Sequence, residues 1–578
     1  MSGLTSLLAW LDRYPPRYWS CVWITLSVVV ISALGAYFAP RRSARWNHPA
    51  LFAAAIGLAI LAFRWPVVFD NEGIFNPDEG HVLAGALALS HDPVPWRSID
   101  GMTHGPLDLL PLVVMERAGI RLDYTNARLL AAFLIWLTVV FTWLTLRQRF
   151  GDGLGRMLVL PFALFVITTR FADFVLYSTE HVPIALLAAA VWLLTGATLP
   201  LRSDRPWRLG LAGLCLGAAP WAKLQSAPIA LWLGVMGVAF VLLDKGVQWP
   251  TRARLATWLI GGALVVPVTI AGVVLVNGAW HDFWVCYVKA NIYYTEQMPM
   301  DWSTALPFFR RLAIGGESYT WFFWGHIIVL AGALILRLFW ARTDEWRFLV
   351  LSLGLLVVSL YTVLAPNRTF MHYLHFSFTP VVLATGAALG SLVLRAERKL
   401  FVWRGIPFRP LAWLLLIAFF AKAAWPVLLF PLNGYSPPLG TYGVRKGKLA
   451  RSDVAGLVLT VTKPNESIVV WGWEPRYYVE SNRRPGIREG ETEREMFDSP
   501  FRDYYRERMV KDFERSNSPV FIDVVGRGTF YFEDRLKYAH ETFPALAALI
   551  AQRYRFIAEM GNVRIYLRND RPFNPPVR

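Results

Sequence analysis

Cysteine and charged residues are both scarce in this chain of 578 residues. Three cysteines cannot form a disulfide scaffold over such a length. Charged residues make up only 17% of the chain and apolar residues 55%, whereas a soluble domain carries about 25% charged residues. The chain is therefore too apolar to be disordered or to be a soluble multidomain enzyme.

Several common sequence motifs are also absent. There is no Walker A loop, which excludes a pump that is driven by ATP on its own. No HExxH helix, GxSxG elbow or GxGxxG motif after a strand occurs, and no repeat of fixed period. Because no set of ligands has the spacing of a convincing metal site, we expect neither a metal nor another cofactor.

Long apolar runs fill the first three-quarters of the chain. Most approach the roughly 20 residues that a helix needs to cross about 30 Å of hydrocarbon. The sequence therefore predicts a multi-span α-helical membrane protein with about twelve transmembrane helices, at residues 20–38, 50–69, 128–146, 154–171, 182–199, 209–222, 226–243, 255–276, 321–340, 348–365, 376–394 and 411–430.

The chain has a net charge of +17, and many of its basic residues lie in short loops between the predicted spans. Short loops rich in arginine, such as 41–45, 147–156 and 395–409, alternate with loops that are not. By the positive-inside rule the arginine-rich loops are cytoplasmic, and every other loop lies on the opposite side. We therefore predict a multi-pass membrane protein and exclude nucleic acid as a partner.

Three longer segments fall on the predicted periplasmic side. The first is the loop 70–127, which carries two apolar helical stretches at 79–90 and 106–119. Both are too short to span, so we predict helices that lie in the membrane interface. The second is the loop 277–320, rich in Tyr and Trp, and the third is the C-terminal segment 431–578.

The C-terminal segment 431–578 has a charged and turn-rich composition. Apolar runs in this segment predict strands at 468–473, 519–525 and 563–567, and helices at 450–462, 501–516 and 543–553. This alternation predicts a small α/β periplasmic domain that follows a transmembrane domain of residues 1–430.

Two adjacent carboxylates, Asp78 and Glu79, stand in the first of these loops in the motif NPDEGH. Acidic residues after a proline are typical of a helix N-terminus, where they interact with the helix dipole. A carboxylate at a membrane surface can also act as a general base toward a hydroxyl group. Other polar residues in the same loop, including His81 and His104, favour the role of general base.

Further polar side chains lie at the predicted periplasmic ends of other spans: Glu180, Lys223, Lys289, Arg368, His372 and Tyr373. Structural explanations exist for them, because Glu180 can cap a helix, Lys223 can extend to the interface, and Lys289 lies in an aromatic belt. His372 and His375 could bind a metal, but no third ligand is placed by spacing. Cations gathered at one depth fit the binding of a lipid phosphate better.

The chain resembles the integral-membrane glycosyltransferases of the GT-C superfamily. The most similar group comprises bacterial family-39-like enzymes, related to protein O-mannosyltransferases and to the lipid A aminoarabinose transferase. The resemblance covers most of the chain and rests on NPDEGH (76–81), DGMTHGPL (100–107), YSTEHVP (177–183), APWAKLQSAP (219–228), HYLHF (372–376) and WGWEPRYYVE (471–480).

This resemblance implies transfer of a sugar, with inversion, from a polyprenyl-phosphate donor to a hydroxyl acceptor at the periplasmic face of the bacterial inner membrane. Asp78 matches the catalytic acid of the family and would act as general base, while Glu79 would order the loop or contact the acceptor. The other implied roles are donor-phosphate binding by Lys223, Arg368, His372 and Tyr373, and sugar or acceptor binding by His81, His104, Glu180 and Lys289. The acceptor would be an envelope lipid, glycan or protein, membrane lipids would surround the chain, and the protein would be a monomer.

Two other functions compete with this one. A transporter or flippase of polyprenyl-linked glycans would show internal repeats and polar residues near the bilayer midplane, which the sequence does not indicate. A receptor whose segment 431–578 binds a partner would leave Asp78 and Lys223 without a role.

Overall fold

The computed structural model describes residues 15–43, 45–68, 76–169, 171–297, 303, 305, 307, 318–340, 345–368, 370–398, 402–403, 406–407 and 451–573. Helices make up most of the chain before the C-terminal segment. They are α1 Pro15–Phe38, α2 Pro40–Ser43, α3 Pro49–Val68, α4 Pro77–His91, α5 Pro106–Arg117, α6 Tyr124–Phe150, α7 Asp152–Thr168, α8 Ala172–Val175, α9 His181–Thr198, α10 Pro206–Ala222, α11 Ala227–Leu242, α12 Trp249–Val276, α13 Trp280–Phe283, α14 Ala290–Glu296, α15 Ser318–Trp340, α16 Trp346–Leu364 and α17 His375–Arg398.

Within these described ranges, nine helices are long and apolar enough to cross a membrane. Each coincides with a predicted span. A helix that crosses the membrane contacts lipid or other helices on every face, so its sequence is a long apolar run. They are Arg17–Phe38, Pro49–Val68, Tyr124–Phe150, His181–Thr198, Leu224–Leu242, Trp249–Val276, Tyr319–Leu338, Trp346–Leu364 and Met371–Leu394.

Two more predicted spans are slightly shorter helices. The spans 154–171 and 209–222 correspond to α7 and α10, each of 17 residues. The last predicted span, 411–430, lies outside the described residues. The total of twelve transmembrane helices therefore stays a prediction.

The chain divides into two compact units. Unit 1 comprises Met1–Val67, Leu129–Thr269 and Tyr294–Gly440, and unit 2 comprises Val68–Arg128, Ile270–Tyr293 and Thr441–Arg578. Unit 2 thus unites the first loop and part of the second with most of the C-terminal segment. The predicted domain boundary at 430/431 falls outside the described residues and stays a prediction.

The C-terminal segment forms an α/β fold. Its helices are α18 Asp453–Val461, α19 Arg476–Ser481, α20 Glu493–Met496, α21 Arg502–Ser516, α22 Arg535–Tyr538 and α23 Pro544–Arg553. After the short hairpin β1 Val402–Trp403 and β2 Ile406–Pro407, the strands are β3 Ser467–Trp471, β4 Arg484–Pro485, β5 Val520–Asp523, β6 Tyr554–Met560 and β7 Val563–Arg568. Their order is β4-β3-β5-β7-β6, with β3 parallel to β4 and β5, and β7 antiparallel to β5 and β6.

The structure confirms the three strands and three helices that the sequence predicts in this segment. It adds β4, which has only two residues and therefore no periodic signal. It also adds β6, which follows α23 without a turn and carries charged residues among its apolar ones. The strands β3 and β5 are buried on both faces, which explains why each is a continuous apolar run. These runs made both strands predictable.

The two predicted helices of the first loop are also confirmed, as α4 and α5. Each begins with a proline at its first turn, where the missing N–H costs nothing and the fixed φ favours the helix. Their location in the membrane interface stays a prediction.

Candidate active site

Asp78 is held in the first turn of α4 by the residues before it. The side chain of Asn76 caps the helix and accepts a hydrogen bond from the backbone N–H of Asp78 at 2.9 Å, and Pro77 occupies the first helical position. The backbone N–H of Asp78 is thereby used, while its side chain is exposed. An exposed carboxylate at a fixed position can accept a proton from a bound substrate.

Glu79 points in another direction and is fully buried. Its carboxylate accepts hydrogen bonds from Arg128, with Nη2 at 2.9 Å and Nε at 3.2 Å from each oxygen. Both side chains have 0% exposure. This two-pronged ion pair ties the start of α4 to the start of α6 and favours the loop-ordering role of Glu79 over contact with the acceptor.

His81 and His104 are buried neighbours within unit 2. Their rings meet edge to face with centroids 5.4 Å apart. His104 Nδ1 lies 3.9 Å from a carboxylate oxygen of Asp108, and His81 Nδ1 lies 3.8 Å from an oxygen of Glu491. Contact of either histidine with a sugar or acceptor stays a prediction. Because both side chains are buried, the sugar or acceptor would have to enter the interior of unit 2 to reach them.

A buried charge cluster joins the first loop to the C-terminal segment within unit 2. Arg508 contacts the carboxylates of Asp100, at 2.9 Å, and Glu489, and Arg494 lies 3.5 Å from Asp100. Although burial alone would raise the pKa of Asp100, these two arginines hold that pKa below its ordinary value. This cluster was not predicted from the sequence, although acidic residues alternate along 489–495 and were a visible signal.

Glu495 belongs to the same segment and is fully buried, with no side-chain hydrogen-bond partner in the described part of the chain. Burial raises its pKa well above the ordinary value, and Glu489 adds to this, while Arg508 opposes it. The folded protein therefore keeps Glu495 protonated at pH values where the unfolded chain ionises it.

We expect Glu495→Gln to stabilise the protein increasingly as the pH rises. A carboxyl group whose pKa is raised by folding contributes its full stability at acidic pH and loses that contribution as the pH rises toward the folded value. The difference in unfolding free energy between variant and wild type should grow by up to about 1.4 kcal/mol per pH unit above about 4.5. Thermal unfolding of the full chain in detergent, at several pH values, measures it. The exposed Glu514→Gln should show no such trend, and a pH-independent difference for Glu495→Gln would contradict the expectation.

A second polar cluster lies in unit 1 around Lys223. Its ammonium donates to Thr179 Oγ1 at 2.6 Å and to the carboxylate of Glu180, and it lies 5.0 Å from the ring centroid of Tyr373. Lys223 sits where α10 ends in an extended residue, and Glu180 precedes α9. The breaks between these helices thus place the charged side chains of Lys223 and Glu180 next to each other.

His372 completes this cluster. Its Nε2 lies 4.0 Å from Glu180 and its Nδ1 lies 3.9 Å from Asp173. Burial alone would raise the pKa of Glu180, but the charges of Lys223 and His372 outweigh it and hold that pKa below the ordinary value. The structure therefore brings together three residues predicted to bind phosphate, Lys223, His372 and Tyr373. It places them around Glu180, to which the family resemblance assigned sugar or acceptor binding.

Arg368 and Lys289 occupy other surroundings. The Arg368 guanidinium lies over the ring of Tyr294, 4.8 Å from its centroid, in unit 1. Lys289 is an exposed residue at the end of the π-helix Trp284–Lys289 in unit 2. Their predicted contacts with phosphate and with sugar stay predictions.

A small apolar cavity of about 20 Å³ lies between helices of unit 1. Aliphatic side chains of α9 and α11, such as Ile184 and Leu233, line it, and His375 of α17 contributes a polar edge. A cavity of this volume has room for about one water molecule.

Three potential metal ligands in the C-terminal segment lie close together, since atoms of Asp523, His540 and Glu541 are within 4.8 Å of one another. Arg535 already donates to both carboxylates, at 2.9 Å to Asp523 and 3.1 Å to Glu541, and His540 Nδ1 lies 2.6 Å from Asp523. These contacts explain the group as an ion-pair network. That the protein works without a metal stays a prediction.

No family model matches the chain, and no curated protein matches it in sequence. Among solved structures, ArnT from Cupriavidus metallidurans bound to undecaprenyl phosphate is similar, with 14% identity, 89% of this chain and 97% of that chain covered, and a TM-score of 0.52. Its apo state gives 15% identity, the same coverage and a TM-score of 0.50. The apo oligosaccharyltransferase of Archaeoglobus fulgidus, at 11% identity, 83% and 70% coverage and a TM-score of 0.40, is too distant to support an argument.

These likenesses concern the fold, because at such low identity two chains share architecture before they share chemistry. The likeness to ArnT extends over 97% of that chain and 89% of this one. The chain is a multi-pass membrane protein whose fold is similar to that of ArnT.

Proposed function

We propose that this protein is a glycosyltransferase that moves a sugar from a polyprenyl-phosphate donor to a hydroxyl acceptor at the periplasmic face of the inner membrane. The observation that carries the proposal is the exposed Asp78 carboxylate, held by a cap at the start of α4, in a chain with the GT-C fold. The similar ArnT structure contains undecaprenyl phosphate, which supports a lipid-linked donor here.

Asp78 acts as the general base in this reaction. It takes the proton of the acceptor hydroxyl while the oxygen of that hydroxyl attacks the anomeric carbon of the sugar. The bond from this carbon to the phosphate oxygen breaks, and the lipid phosphate leaves with the electron pair. Attack opposite the leaving group inverts the anomeric configuration.

The phosphate of the donor binds at the polar cluster around Lys223 in unit 1. Lys223, with His372 and Tyr373 beside it, offers a cation and hydrogen-bond donors to the phosphate. Glu180 is paired with Lys223, so phosphate binding competes with this ion pair.

The test is transfer of labelled sugar from a purified polyprenyl-phosphate donor into envelope extract by the full chain in detergent, with release of polyprenyl phosphate. We expect Lys223→Met to weaken binding of polyprenyl phosphate by about 10- to 100-fold, since a charge-assisted hydrogen bond contributes about 1.5–3 kcal/mol. Titration of the variant with polyprenyl phosphate measures this effect.

Glu180→Gln is the matched control for the ion pair. It removes the competing carboxylate while keeping the lysine, so we expect equal or tighter binding of polyprenyl phosphate. Unchanged affinity in Lys223→Met would remove Lys223 from the phosphate site. If the protein moved the donor across the membrane of sealed vesicles without transferring any sugar, the proposed enzyme would be wrong and the protein would be a flippase.

A further inference from the structure

The strands β3 and β5 end side by side in the sheet of the C-terminal segment. They are parallel, and their last residues, Trp471 and Asp523, lie opposite each other. From β3 the chain continues to β4 on one side of this pair, and from β5 it continues to β6 and β7 on the other side. Such a reversal, beyond the carboxyl ends of parallel strands, is where open α/β sheets bind their ligands.

Four aromatic rings gather in the loops that follow these two strands, and we call them the aromatic surface: Trp473, Phe497, Phe530 and Tyr531. Phe530 lies edge to face against Trp473 with centroids 5.0 Å apart, and Tyr531 lies 6.0 Å from Trp473 and 5.5 Å from Phe497. Trp473 and Phe497 are partly buried and pack against the core of this segment. Phe530 is 45% exposed and Tyr531 65% exposed. The aromatic surface is therefore anchored to the core and presents two rings outward.

The loop that carries Phe530 and Tyr531 is held by its own hydrogen bonds. The N–H of Gly526 donates to the carbonyl of Phe532 at 3.1 Å, and the hydroxyl of Thr529 donates to the carbonyl of Gly526 at 2.6 Å. Tyr531 has a φ of 67°, a left-handed conformation that is unfavourable for an aromatic residue and that is typical of binding sites when it occurs. Because the loop is fixed before a ligand binds, ordering its rings adds little to the entropy cost of binding.

Trp473 also carries a polar group that needs a partner. In the part of the chain that the structure describes, its buried indole N–H has no hydrogen-bond acceptor. A buried donor without an acceptor costs free energy. An occupant with hydroxyl groups supplies such an acceptor, whereas a hydrocarbon chain does not. Trp473 belongs to the motif WGWEPRYYVE, which the proposed reaction leaves without a role.

The charges beside the exposed rings are balanced. Within residues 527–537, Arg535 is already paired with Asp523 at 2.9 Å. The other charged side chains of this range are two basic and two acidic ones, Arg527, Lys537, Glu533 and Asp534. A surface that binds an anionic membrane carries an excess of Lys and Arg, whereas a neutral ligand needs none. The balance therefore favours a neutral ligand rich in hydroxyl groups over a lipid surface.

We propose that the aromatic surface binds a pyranose ring of a glycan, and that this glycan is the acceptor of the transfer. The second part rests on the proposed function. The C–H groups on one side of a pyranose are weakly positive and pack on the negative face of an aromatic ring, while the hydroxyl groups at its edge form hydrogen bonds. The aromatic surface and Asp78 belong to the same unit 2, so one compact unit holds both the base and the acceptor.

The experiment measures the binding of neutral oligosaccharides, released from envelope extract and freed of lipid, to the full chain in detergent without donor. Titration is followed by saturation-transfer NMR. Tyr531→Gly removes a ring where the positive φ suits glycine, so we expect equal or higher thermal stability together with binding weakened by about 3- to 10-fold. Phe530→Leu keeps an apolar side chain without a flat face and should weaken binding by a similar factor. Phe556→Ala removes an exposed ring on the edge strand β6 and is the matched control, with unchanged binding expected.

Two results of this titration would overturn the inference: a wild type that binds no oligosaccharide, or equal affinity in wild type, Tyr531→Gly and Phe530→Leu. A spin label on Tyr531→Cys in a phospholipid nanodisc tests the lipid alternative, with the spectrum of identically treated wild type subtracted. We expect more frequent collisions with a water-soluble nickel complex than with dissolved oxygen. The reverse order would place residue 531 in lipid and overturn the glycan site.

Transfer to the same oligosaccharides separates this inference from the proposed function. We expect Tyr531→Gly to raise the KM for the oligosaccharide by about 3- to 10-fold and to keep kcat, because the ring binds the acceptor away from the reacting atoms. A wild type that binds oligosaccharide but transfers no sugar would overturn the proposed function and keep the glycan site. An active wild type whose KM equals that of Tyr531→Gly would overturn the role of the aromatic surface in acceptor binding and keep the proposed function.

Discussion

Replacing Asp78 with asparagine will abolish sugar transfer and leave donor binding nearly intact. The amide has the size of the carboxylate but cannot take the proton of the acceptor hydroxyl, and loss of a general base lowers a rate by about 10²- to 10⁴-fold. The helix should persist, because Asn76 caps it through the backbone N–H of residue 78 and not through its side chain. The rate of transfer and the affinity for polyprenyl phosphate, measured on the same preparation, check both halves of the expectation.

The matched control for Asp78 is Asp503, another exposed acid in the first turn of a helix of unit 2. If Asp78 only interacted with a helix dipole, the two substitutions would have equal effects, each of about 0.3–1 kcal/mol on stability. We expect Asp503→Asn to keep full transfer. Full transfer in Asp78→Asn as well would remove Asp78 from catalysis and leave the dipole as its explanation.

Local sequence signals predicted the elements that carry the site. The helix α4 follows from Asn-Pro and an apolar stretch, and the strands β3 and β5 follow from short apolar runs, because each depends on neighbouring residues in the chain. The position of Asp78 was predictable for the same reason. Lys223 lies beside Tyr373, and Glu180 lies near both Lys223 and His372, but the binding of phosphate by this cluster stays a prediction.

Contacts between distant segments were not predictable. Glu79 pairs with Arg128 across 49 residues, and no periodicity indicates which arginine lies opposite a given carboxylate. Glu491 lies 3.8 Å from His81 although 410 residues separate them, and the neighbouring Gly490 packs so close that a Cβ atom there would lie 2.9 Å from the His81 ring. For Glu180 the sequence indicated a polar span end but not that Lys223 would take its carboxylate.

Glu79 offers the second large effect, since its two possible roles predict opposite results. Removing one partner of a buried ion pair leaves an uncompensated charge and costs about 3–5 kcal/mol. Glu79→Leu and Arg128→Met alone should therefore each lower the unfolding temperature strongly and reduce transfer with it. The exposed pair Glu507–Lys511, 2.7 Å apart, is the control, and Glu507→Ala should have little effect.

The double variant Glu79→Leu/Arg128→Met distinguishes loop ordering from acceptor contact. Apolar replacement of both partners is often neutral or stabilising, because no charge stays buried without its partner. If Glu79 orders the loop, the double variant regains the stability that each single variant loses, and transfer returns because Asp78 is again held at the start of α4. If Glu79 contacts the acceptor, stability returns without transfer. The measurement is thermal unfolding and the transfer rate of four proteins: the wild type, the two single variants and the double variant. We expect both stability and transfer to return in the double variant, because the carboxylate of Glu79 is fully buried against Arg128.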